Sequence, residues 1–197
     1  MFTGIIRELG TVTRIERSKD LVRVAVFAPK SAARAEPLDS IAVNGVCVTA
    51  VQVSRGAMTF ELIPETQRLT TLGALSSGAR VHVEPSLALS DRLNGHILLG
   101  HVDGIGSIVT RRQLGGELIL EIRTPPTLRR FLVPKGPIAV DGVSLTVGQA
   151  LRRSTFTIHL IPETLRYTTL GSRRRGEPVN LEVDYLAKLL HQFLKTR

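Results

Sequence analysis

Two tandem all-β domains of the antiparallel barrel type are the fold class this chain predicts, and three observations carry that expectation. The sequence repeats itself at long range, its apolar residues mostly alternate with polar ones, and glycine or proline breaks the alternation at short intervals. The longest repeat is Leu62-Ile-Pro-Glu-Thr-Gln-Arg-Leu-Thr-Thr-Leu-Gly73, which returns as Leu160-Ile-Pro-Glu-Thr-Leu-Arg-Tyr-Thr-Thr-Leu-Gly171. Val43-Asn-Gly-Val-Cys-Val-Thr49 likewise returns as Val140-Asp-Gly-Val-Ser-Leu-Thr146, and Gly4-Ile5-Ile6 with Gly10 corresponds to Gly100-His101-Val102 with Gly106. The offset drifts only from 96 to 98 residues within 197, so the copies differ by insertions short enough for loops. That period is far longer than a solenoid unit, and each copy can bury a modest core of its own. The expected division is 1–97 and 98–184, joined around Asn94-Gly95-His96, with 185–197 as a C-terminal element.

Taken in order, the alternating segments are Leu21 to Phe27, Met58 to Ile63, Val81 to Glu84, Glu117 to Arg123, Thr155 to Ile161 and Val179 to Val183. Ala28-Pro29, Arg55-Gly56, Gly115-Gly116 and Lys135-Gly136-Pro137 punctuate them, which suits closed or nearly closed antiparallel barrels and not parallel βαβ units. A short helix is expected over Leu87 to Leu93, near the join. At the C-terminus, Leu186, Leu189, Leu190, Phe193 and Leu194 follow the spacing of an amphipathic helix after Asp184 as N-cap. Such a stripe fits packing on its own domain or self-association.

Composition bounds the function. With 43% apolar and 22% charged residues and no apolar run near the roughly 20 residues of a membrane span, the chain reads as a soluble globular protein. The start Met1-Phe-Thr-Gly-Ile-Ile does not read as a secretory signal, and the single Cys47 fits a reducing compartment, so a cytoplasmic location is expected. A net charge of +9 raises nucleic-acid binding, but the basic residues are spread along the chain apart from Arg173-Arg174-Arg175. Only eight aromatic residues are available for base stacking, which favours a solvated basic surface. Zinc-ligand spacing and a phosphate loop are missing, and Gly104-Ile-Gly106 lacks the third glycine of a dinucleotide fingerprint, so no metal and no cofactor are expected.

The repeated blocks carry the chemistry. In Leu-Ile-Pro-Glu-Thr the proline ends or edges a strand and leaves the Glu-Thr backbone free to meet a ligand, although a hydrogen-bonded barrel corner explains it equally. In the second block, Asn44-Gly45 or Asp141-Gly142 turns into a strand bearing Cys47 and Thr49, or Ser144 and Thr146, on one face. Their hydroxyl and thiol groups can orient hydrogens toward a polar heterocycle; Cys47 as a nucleophile is the sharper reading, without a base evident in sequence. The third block differs between copies, with Ile5 matched by His101, a group that titrates near neutrality and can move protons. His82, His96, His159 and His191 compete for that role, and His159 is also placed on a barrel surface.

Together, Met1-Phe-Thr-Gly-Ile5, Asn44-Gly-Val-Cys-Val-Thr49, Gly95-His-Ile-Leu-Leu-Gly-His101-Val-Asp-Gly104, Asp141-Gly-Val-Ser-Leu-Thr-Val147 and both Leu-Ile-Pro-Glu-Thr blocks resemble riboflavin synthase of the alpha-chain type, across essentially the whole chain. The resemblance implies two similar six-stranded antiparallel Greek-key barrels and a C-terminal helix through which family members form homotrimers. It implies dismutation of two molecules of 6,7-dimethyl-8-(1-D-ribityl)lumazine to riboflavin and 5-amino-6-(D-ribitylamino)uracil, between barrels of different subunits, and names lumazine synthase as a candidate partner. Carried over, the N-terminal pocket uses Gly4, Ile5, Ile6, Cys47, Val48, Thr49, Glu61, Leu62, Ile63, Pro64, Glu65 and Thr66. The C-terminal pocket uses Gly100, His101, Val102, Lys135, Ser144, Leu145, Thr146, His159, Leu160, Ile161, Pro162, Glu163 and Thr164. For catalysis it implies His101 as proton-transfer group, with Ser144, Ser40, Cys47 and Asp184 nearby and Phe2 ordering the N-terminal segment. The competing reading is a non-catalytic lumazine- or flavin-binding carrier of the same fold.

Overall fold

The computed structural model describes residues 1–148 and 154–195. Its first half folds as a closed six-stranded antiparallel barrel: β1 (Glu8–Arg17), β2 (Val22–Phe27), β3 (Ser40–Val43), β4 (Val46–Ser54), β5 (Ala57–Leu62) and β6 (Arg80–Pro85), in the order β1-β2-β5-β4-β3-β6. Successive hairpins join β3, β4 and β5, and β6 returns beside β3, which is a Greek key. The second half repeats the cyclic order with β7 (Gly104–Leu114), β8 (Glu117–Arg123), β9 (Pro137–Val140), β10 (Val143–Thr146), β11 (Thr155–Leu160) and β12 (Pro178–Val183). There the ends of the sheet meet where the Gly148 N–H donates to the Thr157 carbonyl at 2.7 Å.

Local chemistry explains these elements. Asn44 and Gly45 both take positive φ, as do Asp141 and Gly142, and this is the conformation that a two-residue type I′ hairpin demands. Every second residue of β5 and β11 points inward, so Met58, Phe60 and Leu62 fill the first barrel and Phe156, Ile158 and Leu160 the second. The large ring moves one layer between copies, from Phe60 to Phe156, and the opposing Met58 and Ile158 compensate in volume.

One feature differs from the sequence expectation, and two others go beyond it. The segment from Leu87 to Leu93 is not helical; the Leu87 N–H donates to the Met1 carbonyl, and Leu89 and Leu93 are exposed, so nothing rewards an apolar helical face there. In the two Leu-Ile-Pro-Glu-Thr blocks the strand ends just before the proline. Each turns at its proline into a short helix, α1 being the four-residue Pro29–Ala32, α2 Pro64–Leu69 and α3 Pro162–Tyr167. In α2 the first helical hydrogen bond is Gln67 N–H to the Ile63 carbonyl, which leaves Glu65 and Thr66 amides outside the ladder. Lastly, β1 and β7 each carry a bulge, between Val12 and Arg14 and between Ile108 and Thr110, that breaks their alternation.

The C-terminal helix α4 (Tyr185–Lys195) starts where Asp184 accepts the Leu186 N–H at 3.1 Å. Lys188 reaches both oxygens of Asp103 at 3.0 Å, and His191 meets Phe131 edge-on at 5.1 Å, so these residues fasten α4 to the second barrel. Leu186, Leu190, Phe193 and Leu194 are exposed by more than 60% each, and packing on its own barrel therefore does not explain the stripe.

Candidate active site

The barrels meet around a pseudo-twofold relation in which each inserts a chain segment against the other. The Gly4 carbonyl accepts the Ser144 N–H at 2.8 Å, and the Gly100 carbonyl accepts the Cys47 N–H at 2.9 Å. Both glycines have φ near +75°, and a Cβ on Gly4 would lie 2.6 Å from Ser144 Cβ, as one on Gly100 would from Cys47 Cβ. Ile6 packs against the second barrel's core and Val102 against the first barrel's. Each segment thus belongs by sequence to one barrel and lines the other.

Two buried carboxylates anchor these crossings. Glu84 accepts the Thr3 N–H and hydroxyl at 2.7 Å and the Gly4 N–H at 3.0 Å; Glu182 accepts the Leu99 N–H at 2.8 Å and the Gly100 N–H at 3.0 Å. Between the crossings lies Phe2, fully buried with Ala42, Leu98 and Ala139 and flanked by Cys47.

The second barrel carries a cavity of about 300 Å³ lined by Lys135, Ser144, Leu145, Thr146, Val147, Gly148, His159, Ile161 and Thr164. That is the lower end of the size range for small-molecule sites. Ser144 Oγ shares a 2.7 Å hydrogen bond with His96 Nδ1. Burial lowers the His96 pKa from its ordinary value, the Asp184 charge opposing this, and the ring is therefore held neutral near pH 7. A neutral imidazole on a hydroxyl can exchange a proton with it, an arrangement that activates an oxygen or passes a proton to a bound molecule.

The lumazine binding domain matches residues 3–86 and again 99–184. The riboflavin synthase of Mycobacterium tuberculosis (strain ATCC 25618 / H37Rv) is 44% identical over 199 aligned positions, covering 100% of this chain and 99% of that protein. The chain belongs to the riboflavin synthase family. The Bacillus subtilis (strain 168) riboflavin synthase is 36% identical, over 98% of this chain and 90% of its own. Among solved structures, LumP complexed with riboflavin superposes with a TM-score of 0.86 at 24% identity, covering 93% of this chain and 100% of that one. At that identity the likeness speaks to the fold alone.

For this member of the riboflavin synthase family, the residues expected from sequence divide into two surfaces, but with one exchange. Gly4, Ile5 and Ile6, expected with Cys47, sit beside Ser144; Gly100, His101 and Val102, expected with Ser144, sit beside Cys47. The first surface combines Cys47, Val48 and Thr49 with Ser40, which pairs with Thr49 across β3 and β4. Ile63, Pro64, Glu65 and Thr66 stand at the turn into α2, as Ile161, Pro162, Glu163 and Thr164 do at α3. Leu62 and Leu160, by contrast, are fully buried in the barrel cores. Glu61 is bonded to Arg23 at 2.8 Å and its counterpart His159 to Glu117 at 3.0 Å, so both are surface residues tied to a neighbouring strand. A groove of about 320 Å³ on the first barrel includes Glu61 but no other residue of the expected set. Lys135 on the cavity wall corresponds to Leu38, and each N–H donates to the carbonyl of Val147 or Ala50. His101 is exposed, without a hydrogen bond among the described residues, and Cys47 Sγ likewise has no base bonded to it there. Sequence alone misses Glu84 and Glu182 and offers His96 only as one of four competing histidines; the repeated carboxylate inside Val83-Glu84 and Leu181-Glu182 is the available signal.

Proposed function

We propose that each pseudo-equivalent surface seats one 6,7-dimethyl-8-(1-D-ribityl)lumazine and that the protein converts two of them to riboflavin and 5-amino-6-(D-ribitylamino)uracil. The supporting observation is the matched pair of crossed-over seats, Cys47 to Thr49 with Gly100 to Val102 and Ser144 to Thr146 with Gly4 to Ile6, in a chain of the riboflavin synthase family. A four-carbon unit passes between identical heterocycles, so the reaction balances without an external oxidant. The protein's task is to hold two flat rings in opposed orientations, a source of acceleration in itself. Peptide groups of the strands and crossing segments pair with the ring edge. Ser144 with its neutral His96 partner and the exposed His101 are the groups that move protons.

In this reading the two seats that react together belong to different subunits of a homotrimer, assembled through the exposed Leu186, Leu190, Phe193 and Leu194 of α4. Specific activity then falls on dilution as trimers dissociate. Activity per chain that stays constant through dissociation, followed by analytical ultracentrifugation, removes the intersubunit site.

The function is tested by following both products from purified protein and the lumazine. Equimolar riboflavin and aminouracil are expected, whereas tight binding without turnover identifies a carrier. His101→Ala is expected to lower the turnover number at least about tenfold, or roughly 1.4 kcal/mol of barrier, with a smaller change in lumazine affinity measured by fluorescence titration. An unchanged turnover number excludes His101 from proton transfer.

A further inference from the structure

We propose that Glu182 is a positioning residue for the first seat, holding the segment from Leu99 to Val102 over Cys47, and that this hold is released when its carboxylate is protonated. The inference rests on the functional reading above for its turnover consequences, but its structural part stands on geometry. Glu182 lies on β12 of the second barrel, and its two oxygens accept the N–H groups of Leu99 and Gly100 at 2.8 and 3.0 Å. The next peptide group, the Gly100 carbonyl, takes the Cys47 N–H at 2.9 Å, and His101 and Val102 follow directly. One carboxylate therefore fixes the backbone from which the only histidine of the duplicated Gly-x-x block projects.

A carboxylate can accept from both amides at once, whereas a carboxylic acid has turned one oxygen into a donor and leaves one N–H without its partner. The pseudo-equivalent Glu84 shows why the two copies differ. Glu84 has a third donor, the Thr3 hydroxyl at 2.7 Å, and the position matching Thr3 is Leu99, which has none. Burial pushes Glu182 up to about 7, only partly offset by its two amide bonds and by Lys188, while the Asp103 charge raises it further. Lys188 of α4 is itself bonded to both Asp103 oxygens, so the positive charge that lowers Glu182 is shared with a second carboxylate. The pH senses are opposite for stability and activity. With its folded value above the unfolded one, Glu182 favours the fold at low pH and ceases to do so as pH rises through about 7. The hold on Leu99 and Gly100 needs the ionised form and strengthens over the same interval.

The experiment measures turnover and lumazine affinity from pH 5.5 to 9 in the full-length wild type, Glu182→Gln and Leu99→Thr. In the wild type, both decline as pH falls through about 7. Leu99→Thr restores the third donor and moves that decline to lower pH, as a hydroxyl bonded to the ionised form must. Glu182→Gln, whose amide accepts only one N–H well, abolishes this decline and lowers kcat at pH 8 at least tenfold. A pH edge left in place by both substitutions overturns the proposal. Should Glu182→Gln fail to fold, an unmoved edge in Leu99→Thr overturns it alone. A wild type that binds lumazine without turning it over defeats the functional reading instead, and the pH edge of binding then decides the positioning role.

Discussion

Gly45→Ala is expected to destabilise the protein by about 2–4 kcal/mol and to lower activity with it. The two hairpin turns Asn44-Gly45 and Asp141-Gly142 lie back to back, and a Cβ on Gly45 would stand 2.5 Å from the Gly142 nitrogen and 2.7 Å from its Cα. The obstructing atoms are backbone, so no side chain can swing aside and the barrels themselves must separate. Positive φ at Gly45 adds a conformational cost of its own, about 1 kcal/mol. Gly78→Ala isolates that second part, because Gly78 has φ +85° and nothing within 4 Å of its Cβ position. Denaturant unfolding of the two variants therefore separates strain from contact: Gly45→Ala no less stable than Gly78→Ala removes the claim that close approach of the turns sets the interface. Activity follows because the turn joins β3 to β4, which carry Ser40, Cys47 and Thr49, and because separation stretches the crossings at Gly4 and Gly100.

The same turns show what the sequence makes legible. Asn-Gly and Asp-Gly between apolar runs specify tight hairpins through local backbone chemistry, and the alternation of Glu117 to Arg123 or Val179 to Val183 specifies strands through the pleat. Both are decided within a few residues. The strands β1 and β7 are harder to read because a bulge after Val12 and after Ile108 shifts the inward phase midway, so a period of two fails across the whole segment. The helix expected at Leu87 to Leu93, near the join between the halves, does not form. In the fold the Leu87 N–H donates to the Met1 carbonyl, and just beyond the stretch His96 and Leu98 donate to Thr3 and Phe2, so the chain here is tied to the N-terminal segment instead of to itself.

The exchange of the crossing segments is a different kind of failure. Duplication states that Gly4-Ile5-Ile6 and Gly100-His101-Val102 have the same role, but it is silent on which barrel each one serves. Pairing each segment with its own barrel and pairing it with the other are equally symmetric, and only tertiary bonds such as Ser144 to Gly4 choose between them. The consequence is chemical: His101 stands with Cys47, and Ser144 has His96 as its imidazole partner. The two surfaces are thus unlike in their imidazoles although alike in their backbone.

His82→Ala is expected to cost about 3–5 kcal/mol, whereas His82→Asn keeps most of the stability and changes its pH dependence. His82 is buried at the junction, where Nε2 accepts the Thr169 N–H at 2.8 Å and Nδ1–H donates to the Asp141 carbonyl at 2.7 Å. Its pseudo-equivalent Asn180 does the mirror task, Oδ1 accepting the Thr71 N–H at 2.8 Å and the amide donating to the Asn44 carbonyl at 2.9 Å. An asparagine thus already makes this pair of bonds in the same molecule, and alanine would strand a buried donor and acceptor. The imidazole can serve only when neutral, since a proton on Nε2 would face the Thr169 amide. Burial lowers its pKa from 6.5, with the Arg173 charge also lowering it against the raising effect of Asp141 and its carbonyl. Because the folded value lies below the unfolded one, the stabilisation from His82 is complete above about pH 6.5 and is lost as pH falls below it. Denaturant unfolding between pH 5 and 8 should show a steeper acid loss in the wild type than in His82→Asn. Identical slopes would mean that the junction is not held by this histidine, and would shift the weight to the buried Asp141–Arg173 pair at 2.7 Å.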